Sequence, residues 1–75
     1  MEDKEAIIKS FVRALQLTRI GENITEGEYF VDKGDETAIL YIRDRNTGKH
    51  RSFTVNITAD SGLSIMKDII FALEN

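Results

Sequence analysis

The chain has 75 residues and no cysteine, and its 13 acidic and ten basic residues give a net charge of −3 at pH 7. A chain of this length has room for one hydrophobic core, so a single domain over residues 1–75 is expected. The lack of cysteine excludes disulfides, thiol nucleophiles and thiolate metal ligands, and it fits a protein of the reducing cytoplasm.

The first predicted element is an amphipathic helix over residues 3–20. Its apolar residues recur at i, i+3, i+4 and i+7, the spacing that places side chains on one face of a helix. These residues are Ile8, Phe11, Val12 and Leu15, with Ile7 and Ala14 beside them. Gly21 follows, and we expect it to end the helix in the left-handed conformation that glycine adopts without strain.

Three strands are predicted next, over residues 24–32, 37–44 and 52–58. All three are rich in β-branched and aromatic residues, and the third, SFTVNIT, alternates apolar and polar residues along its length. Residues 33–35 and 46–48 have the composition of two tight turns, and the glycine of the second turn is expected to have a positive φ. Two consecutive hairpins give a three-stranded antiparallel meander.

Residues 60–75 predict a second amphipathic helix, which Asp60 or Ser61 can cap. Its apolar residues at helical spacing are Met66, Ile69, Ile70 and Leu73. The expected fold class is therefore α+β, in the order α-β-β-β-α. Both helices are expected on one face of the sheet, because each needs apolar cover.

This order of elements resembles that of double-stranded RNA-binding domains, and the resemblance covers the whole chain in element order only. That family grips RNA with a lysine-rich start to its second helix. The corresponding stretch here, ADSGLSIMKD, has Lys67 as its one cation. The resemblance is therefore one of topology, from which neither a function nor a family assignment follows.

The chain offers little for catalysis or for metal binding. His50 is its only histidine and lies among cations, no glycine-rich phosphate motif occurs, and the carboxylates lack the spacing of a calcium loop. The N-terminus is charged where an export signal needs an apolar stretch, and no apolar run is long enough to span a membrane. We expect a soluble cytoplasmic protein with no enzymatic activity, cofactor, metal or membrane partner.

Charge is segregated along the chain. Residues 43–51 contain four cations and one acid, a local charge of +3, whereas residues 22–36 contain six acids and one lysine, a local charge of −5. The basic segment predicts a candidate nucleic-acid surface made of Arg43, Arg45, Lys49, His50 and Arg51. The sequence pI of about 5.0 is low for a nucleic-acid domain and favours a solvated hairpin end instead.

The alternation of strand side chains predicts a second candidate surface. Alternate residues cannot share a face, and Ala38, Leu40 and Ile42 form a wholly apolar set that suits the core, together with Phe53, Val55 and Ile57. The other side of the sheet then carries Ile39, Tyr41, Thr54 and Asn56, joined by either Tyr29 and Val31 or Phe30. Our first functional hypothesis is protein association through this side, as a homodimer or an adaptor, and the alternative is nucleic-acid binding.

Overall fold

The computed structural model describes residues 3–74. Helix α1 (Lys4–Leu15) is followed by strands β1 (Ile24–Asp32), β2 (Asp35–Arg43) and β3 (His50–Asn56) and by helix α2 (Gly62–Glu74). The strands form one antiparallel sheet in the order β1-β2-β3. The predicted α+β class and element order are confirmed, and the part of the second helix predicted at Asn75 lies outside the described residues.

Strand β2 supplies the centre of the core. Ala38, Leu40 and Ile42 are buried, as predicted, and the register places Ala38 opposite Val55 and Leu40 opposite Phe53. Phe53 and Val55 pack against the same core. The helices complete it with Ile8, Val12, Leu15, Ile65 and Ile69, together with Ile57 directly after β3. Both helices therefore cover one side of the sheet.

Helix α1 is shorter than the sequence predicts, because it ends at Leu15 and not at residue 20. The Thr18 N–H and hydroxyl both donate to the Leu15 carbonyl, at 2.9 and 2.7 Å, and close the last turn. Gly21 then lies against the helix end, where a Cβ would stand 2.5 Å from the Leu15 Cβ. Its φ is not positive, so this glycine serves a close approach and is not a left-handed cap.

Gly27 allows α1 to pack closely on β1. It lies within the strand, and a Cβ there would be 2.6 Å from the Cγ2 of Val12 and 3.3 Å from the Cγ2 of Ile8. Carbon atoms in contact prefer a separation of about 3.5–4.0 Å. A side chain at this position would therefore push the helix away from the sheet.

Each of the two hairpin turns contains a glycine with a positive φ. Lys33 and Gly34 have φ values of 52° and 86°, as in the two-residue turns whose twist suits a hairpin. Gly48 has the expected positive φ, 73°. Pairing resumes directly after the first turn, with Asp32 opposite Asp35. The strand β2 therefore begins two residues earlier than predicted, and β3 likewise begins at residue 50 and not at 52.

Lys4 ties the start of α1 to the sheet. Its Nζ lies 2.7 Å from Glu36 Oε1 and donates to the Ile57 carbonyl at 3.1 Å, while the Tyr29 hydroxyl donates to the other Glu36 oxygen. The hydrogen bonds from Lys4 and Tyr29 hold the pKa of Glu36 below its ordinary value. The bonds from Lys4 and Tyr29 to Glu36 therefore stabilise the folded state at pH values above the ordinary glutamate pKa. This stabilisation is lost as the pH falls through the lowered pKa of Glu36.

Replacement of Gly27 by alanine is expected to lower the free energy of unfolding by about 1–3 kcal/mol, because the added methyl overpacks the contact with α1. Urea unfolding followed by circular dichroism measures this loss. Gly34→Asn is the control, since nothing lies within 4 Å of a Cβ built at Gly34 and asparagine tolerates a positive φ. Equal unfolding free energies for Gly27→Ala and the unchanged protein would contradict the packing role of this glycine.

Candidate protein-binding face

The side of the sheet opposite the two helices carries the odd-numbered residues of β2. Ile39 and Tyr41 lie there and are half-buried, with Thr54 directly opposite Ile39. Asn56 is two residues further along β3, opposite Thr37. Thr54 and Asn56 are exposed. The structure thus places all four predicted residues on one surface, which we call the open sheet face.

The strand β1 adds Phe30 to the open sheet face. Phe30 lies opposite Thr37 and is 53% exposed. Tyr29 lies opposite Ala38, on the helix side, and packs against the core. Val31, one residue beyond Phe30, lies on the same side of the sheet as Tyr29 and is exposed at the rim. Of the two sets that the sequence left open, the open sheet face therefore receives Phe30.

Two acids border the open sheet face and were missed by the sequence reasoning. Glu28 lies opposite Ile39, and Glu26 lies opposite Tyr41. Partial burial raises the pKa of the Tyr41 hydroxyl, and the negative charges of Glu28 and Glu26 raise it further. The signal in the sequence was the alternation from Glu26 through Glu28 to Phe30, which could be assigned to a side only once the register was known.

The five residues of the predicted nucleic-acid surface are all exposed. Arg43 and Arg45 border one shallow groove, whereas Lys49, His50 and Arg51 border another. The Arg45 Nη2 also donates to the Glu22 carbonyl at 3.4 Å, next to the acidic segment. Arg43 and His50 nevertheless form a cross-strand pair and lie on the same side of the sheet.

Asp44, the one acid among these cations, has a structural role. Its Oδ1 accepts hydrogen bonds from the backbone N–H groups of Asn46 and Thr47, at 2.8 and 3.3 Å. Its carbonyl accepts from the Gly48 N–H at 2.8 Å. These bonds hold the turn at the end of the hairpin in a defined shape.

The helix layer has an apolar groove that the sequence reasoning did not single out. It runs between the two helices on their outer side and is lined by Ala6, Ile7, Ser10, Phe11, Ala14 and Met66. Ile7 and Ala14 widened the predicted apolar stripe of the first helix, and this was the available signal.

Within residues 3–74, no three His, Asp or Glu side chains cluster as a metal site would require, and neither helix is long and apolar enough to cross a membrane.

The comparisons with known proteins assign no family. No protein-family model matches the chain, and no curated protein and no solved structure matches it at a significant level.

The pKa of Tyr41 reports on the two acids that border the open sheet face. Both tyrosines are expected to ionise above the value of free tyrosine, about pH 10, and Tyr29 does so because its hydroxyl bonds to Glu36. Glu28→Gln should lower the pKa of Tyr41 and leave that of Tyr29 unchanged, as followed by the NMR shifts of the two rings. Glu22→Gln is the control, and an unchanged Tyr41 titration in Glu28→Gln would contradict the proximity of this acid.

Proposed function

We propose that this protein is a small non-catalytic module for protein association that works in the cytoplasm and binds through its open sheet face. One observation carries the proposal: Phe30, Ile39 and Tyr41 form an aliphatic and aromatic centre on the solvent side of the sheet. Removing such groups from water drives association, and an apolar centre inside a polar border is the common anatomy of protein interfaces.

The charges around the open sheet face favour a second copy of the chain as the partner. One end of the face is acidic, with Asp32 opposite Asp35, and the other end is basic, with Arg43 opposite His50. Two copies stacked with their strands in opposite directions would place the acidic end of each against the basic end of the other. Such an arrangement has the two-fold symmetry of most homodimers, and its charge complementarity would also guide the encounter.

Tyr41→Glu is expected to weaken self-association by about tenfold or more, because it introduces a charge at the centre of the contact. Sedimentation equilibrium over a concentration series measures the dissociation constant. In the unchanged protein, concentration-dependent NMR shifts are expected at residues 39, 41, 54 and 56.

The control for this experiment is Leu17→Glu, which makes the same change of charge at a residue that is 90% exposed and lies beyond the end of α1. It should associate like the unchanged protein. A strict monomer at high concentration, or equal weakening by both substitutions, would contradict association through the open sheet face.

Nucleic-acid binding is the second candidate function, and the exposure of the whole basic hairpin favours it. If its cations neutralise about four phosphates, the logarithm of the affinity for duplex DNA should fall against the logarithm of the salt concentration with a slope of about −3 to −4. Arg45→Gln should reduce the slope by about one. Fluorescence anisotropy with a labelled duplex at several salt concentrations measures both.

Lys33→Asn provides the matched control, since it removes one positive charge from the turn at the opposite end of β2. Its slope should equal that of the unchanged protein. The absence of measurable binding to any duplex or single strand at low salt would end this second candidate.

A further inference from the structure

The two edges of the sheet differ in how they are protected against pairing with another strand. The outer edge of β1 has a bulge between Ile24 and Glu26 and carries the acids Glu26, Glu28 and Asp32. The strand β3 is paired to β2 in an unbroken register from His50 to Asn56, and its sequence, HRSFTVN, has no acid and no proline. Bulges, charges and prolines are the usual protections of an edge, so the edge of β3 is the less protected of the two.

The hydrogen bonds of β2 show which groups of β3 point outward. The Ile57 N–H donates to the Glu36 carbonyl at 2.9 Å, and the Asp44 N–H donates to the Lys49 carbonyl at 2.8 Å. Antiparallel pairs alternate between bonded and non-bonded along a ladder, so the residues opposite even-numbered positions of β2 bond inward. The outward N–H and C=O groups then belong to His50, Ser52, Thr54 and Asn56, which are all exposed.

We propose that a second copy of this chain pairs with β3 along this edge, antiparallel and centred on Phe53, to give a continuous six-stranded sheet. In this register the whole strand pairs with itself, with Ser52 opposite Thr54 and His50 opposite Asn56 of the second copy. All four residues are among those whose backbone groups point outward. The proposal goes beyond the proposed function and does not depend on it.

The side chains of β3 are complementary to themselves in this register. The two Phe53 side chains meet at the axis in a non-bonded pair, where cross-strand side chains approach most closely and aromatic pairs are favourable. Phe53 is only half-buried in the single chain, so the pairing covers it further. Ser52 and Thr54 form polar pairs on the open sheet face.

The charge of β3 also favours antiparallel self-pairing. Its only permanent charge is Arg51, which would lie opposite Val55 of the second copy, so the two Arg51 Cα atoms would be about 13 Å apart along the strands. A parallel pairing in register would set the two arginines side by side. Antiparallel pairing therefore avoids the repulsion that the alternative incurs.

This pairing brings the two open sheet faces into one plane. Even-numbered residues of β3 lie opposite even-numbered residues of the second copy, and odd-numbered residues lie opposite odd-numbered ones. The helices of both copies are therefore on the same side of the six-stranded sheet. The two-fold axis of the edge contact is perpendicular to the sheet, whereas that of a face-to-face contact lies parallel to it. Two such axes can coexist in a closed tetramer, and edge pairing is therefore compatible with association through the open sheet face.

Ser52→Pro tests the edge contact with little effect on the single chain. The Ser52 N–H points outward, so proline removes a donor from the edge without breaking a bond to β2, and proline is tolerated on edge strands in this orientation. We expect sedimentation equilibrium to detect a dimer of the unchanged protein, and the dimer should be at least tenfold weaker in Ser52→Pro. Ser52→Ala keeps the N–H and should dimerise like the unchanged protein.

Hydrogen exchange of the unchanged protein gives an independent reading. The amides of Ser52, Thr54 and Asn56 should exchange at least tenfold more slowly at concentrations where the dimer forms than in dilute solution. The amides of Phe53 and Val55 bond to β2 and should be protected at both concentrations. If Ser52→Pro does not fold, this alternating pattern decides the proposal alone.

Three results would overturn the proposal: a strict monomer at millimolar concentration, a dimer of unchanged strength in a folded Ser52→Pro, or rapid exchange of the three outward amides in the dimer. Tyr41→Glu separates the two contacts. If it dissociates the protein while the outward amides exchange freely, the open sheet face associates and the edge does not. If it leaves protected amides and a dimer in place, the edge contact stands without the face contact.

Discussion

The pleat of β2 governs the rest of this molecule. The strand pairs on both sides, so its side chains can point only toward the helices or toward the open sheet face, and residues two apart share a side. Leu40 and its neighbours Ala38 and Ile42 are buried under the helices, and this places Ile39 and Tyr41 on the opposite side. A slip of one residue would bury Arg43 and expose Leu40. The core therefore determines the composition of the face to which we assign association.

The same strands distribute the charge. The strand β1 sets Glu26 and Glu28 beside Tyr41 and Ile39, while the β2–β3 hairpin carries the exposed cations at one end of the sheet. Both edges of a three-stranded sheet are open to pairing unless they are protected. The strand β1 has a bulge and acidic side chains and β3 has neither, so the edge of β3 is the less protected one. The face and the edge that we propose for association both follow from one small sheet covered on one side.

Most of the fold and part of the candidate site could be predicted from the sequence. The alternation of β2 identified Leu40 as buried and Tyr41 as outward, and Gly48 marked a turn with positive φ, as the structure has it. The end of α1 was wrong by five residues, because no glycine occurs between Leu15 and Gly21 and only the packing of Gly21 against Leu15 shows where the chain turns back. The pairing of Arg43 with His50 across the hairpin depends on the register of β2 and β3 and could not be read from their spacing.

The sequence by itself determined the number and order of the elements, because apolar periodicity, turn glycines and β-branched residues act locally. It also determined which residues of β2 face the core, because only one of its two alternating sets is wholly apolar. Tertiary structure alone decided that Phe30 joins the open sheet face, that Glu26 and Glu28 border it, and that Gly27 must lack a side chain. These features depend on the register across strands and on the distance between a helix and the sheet, and residues far apart in the chain set both.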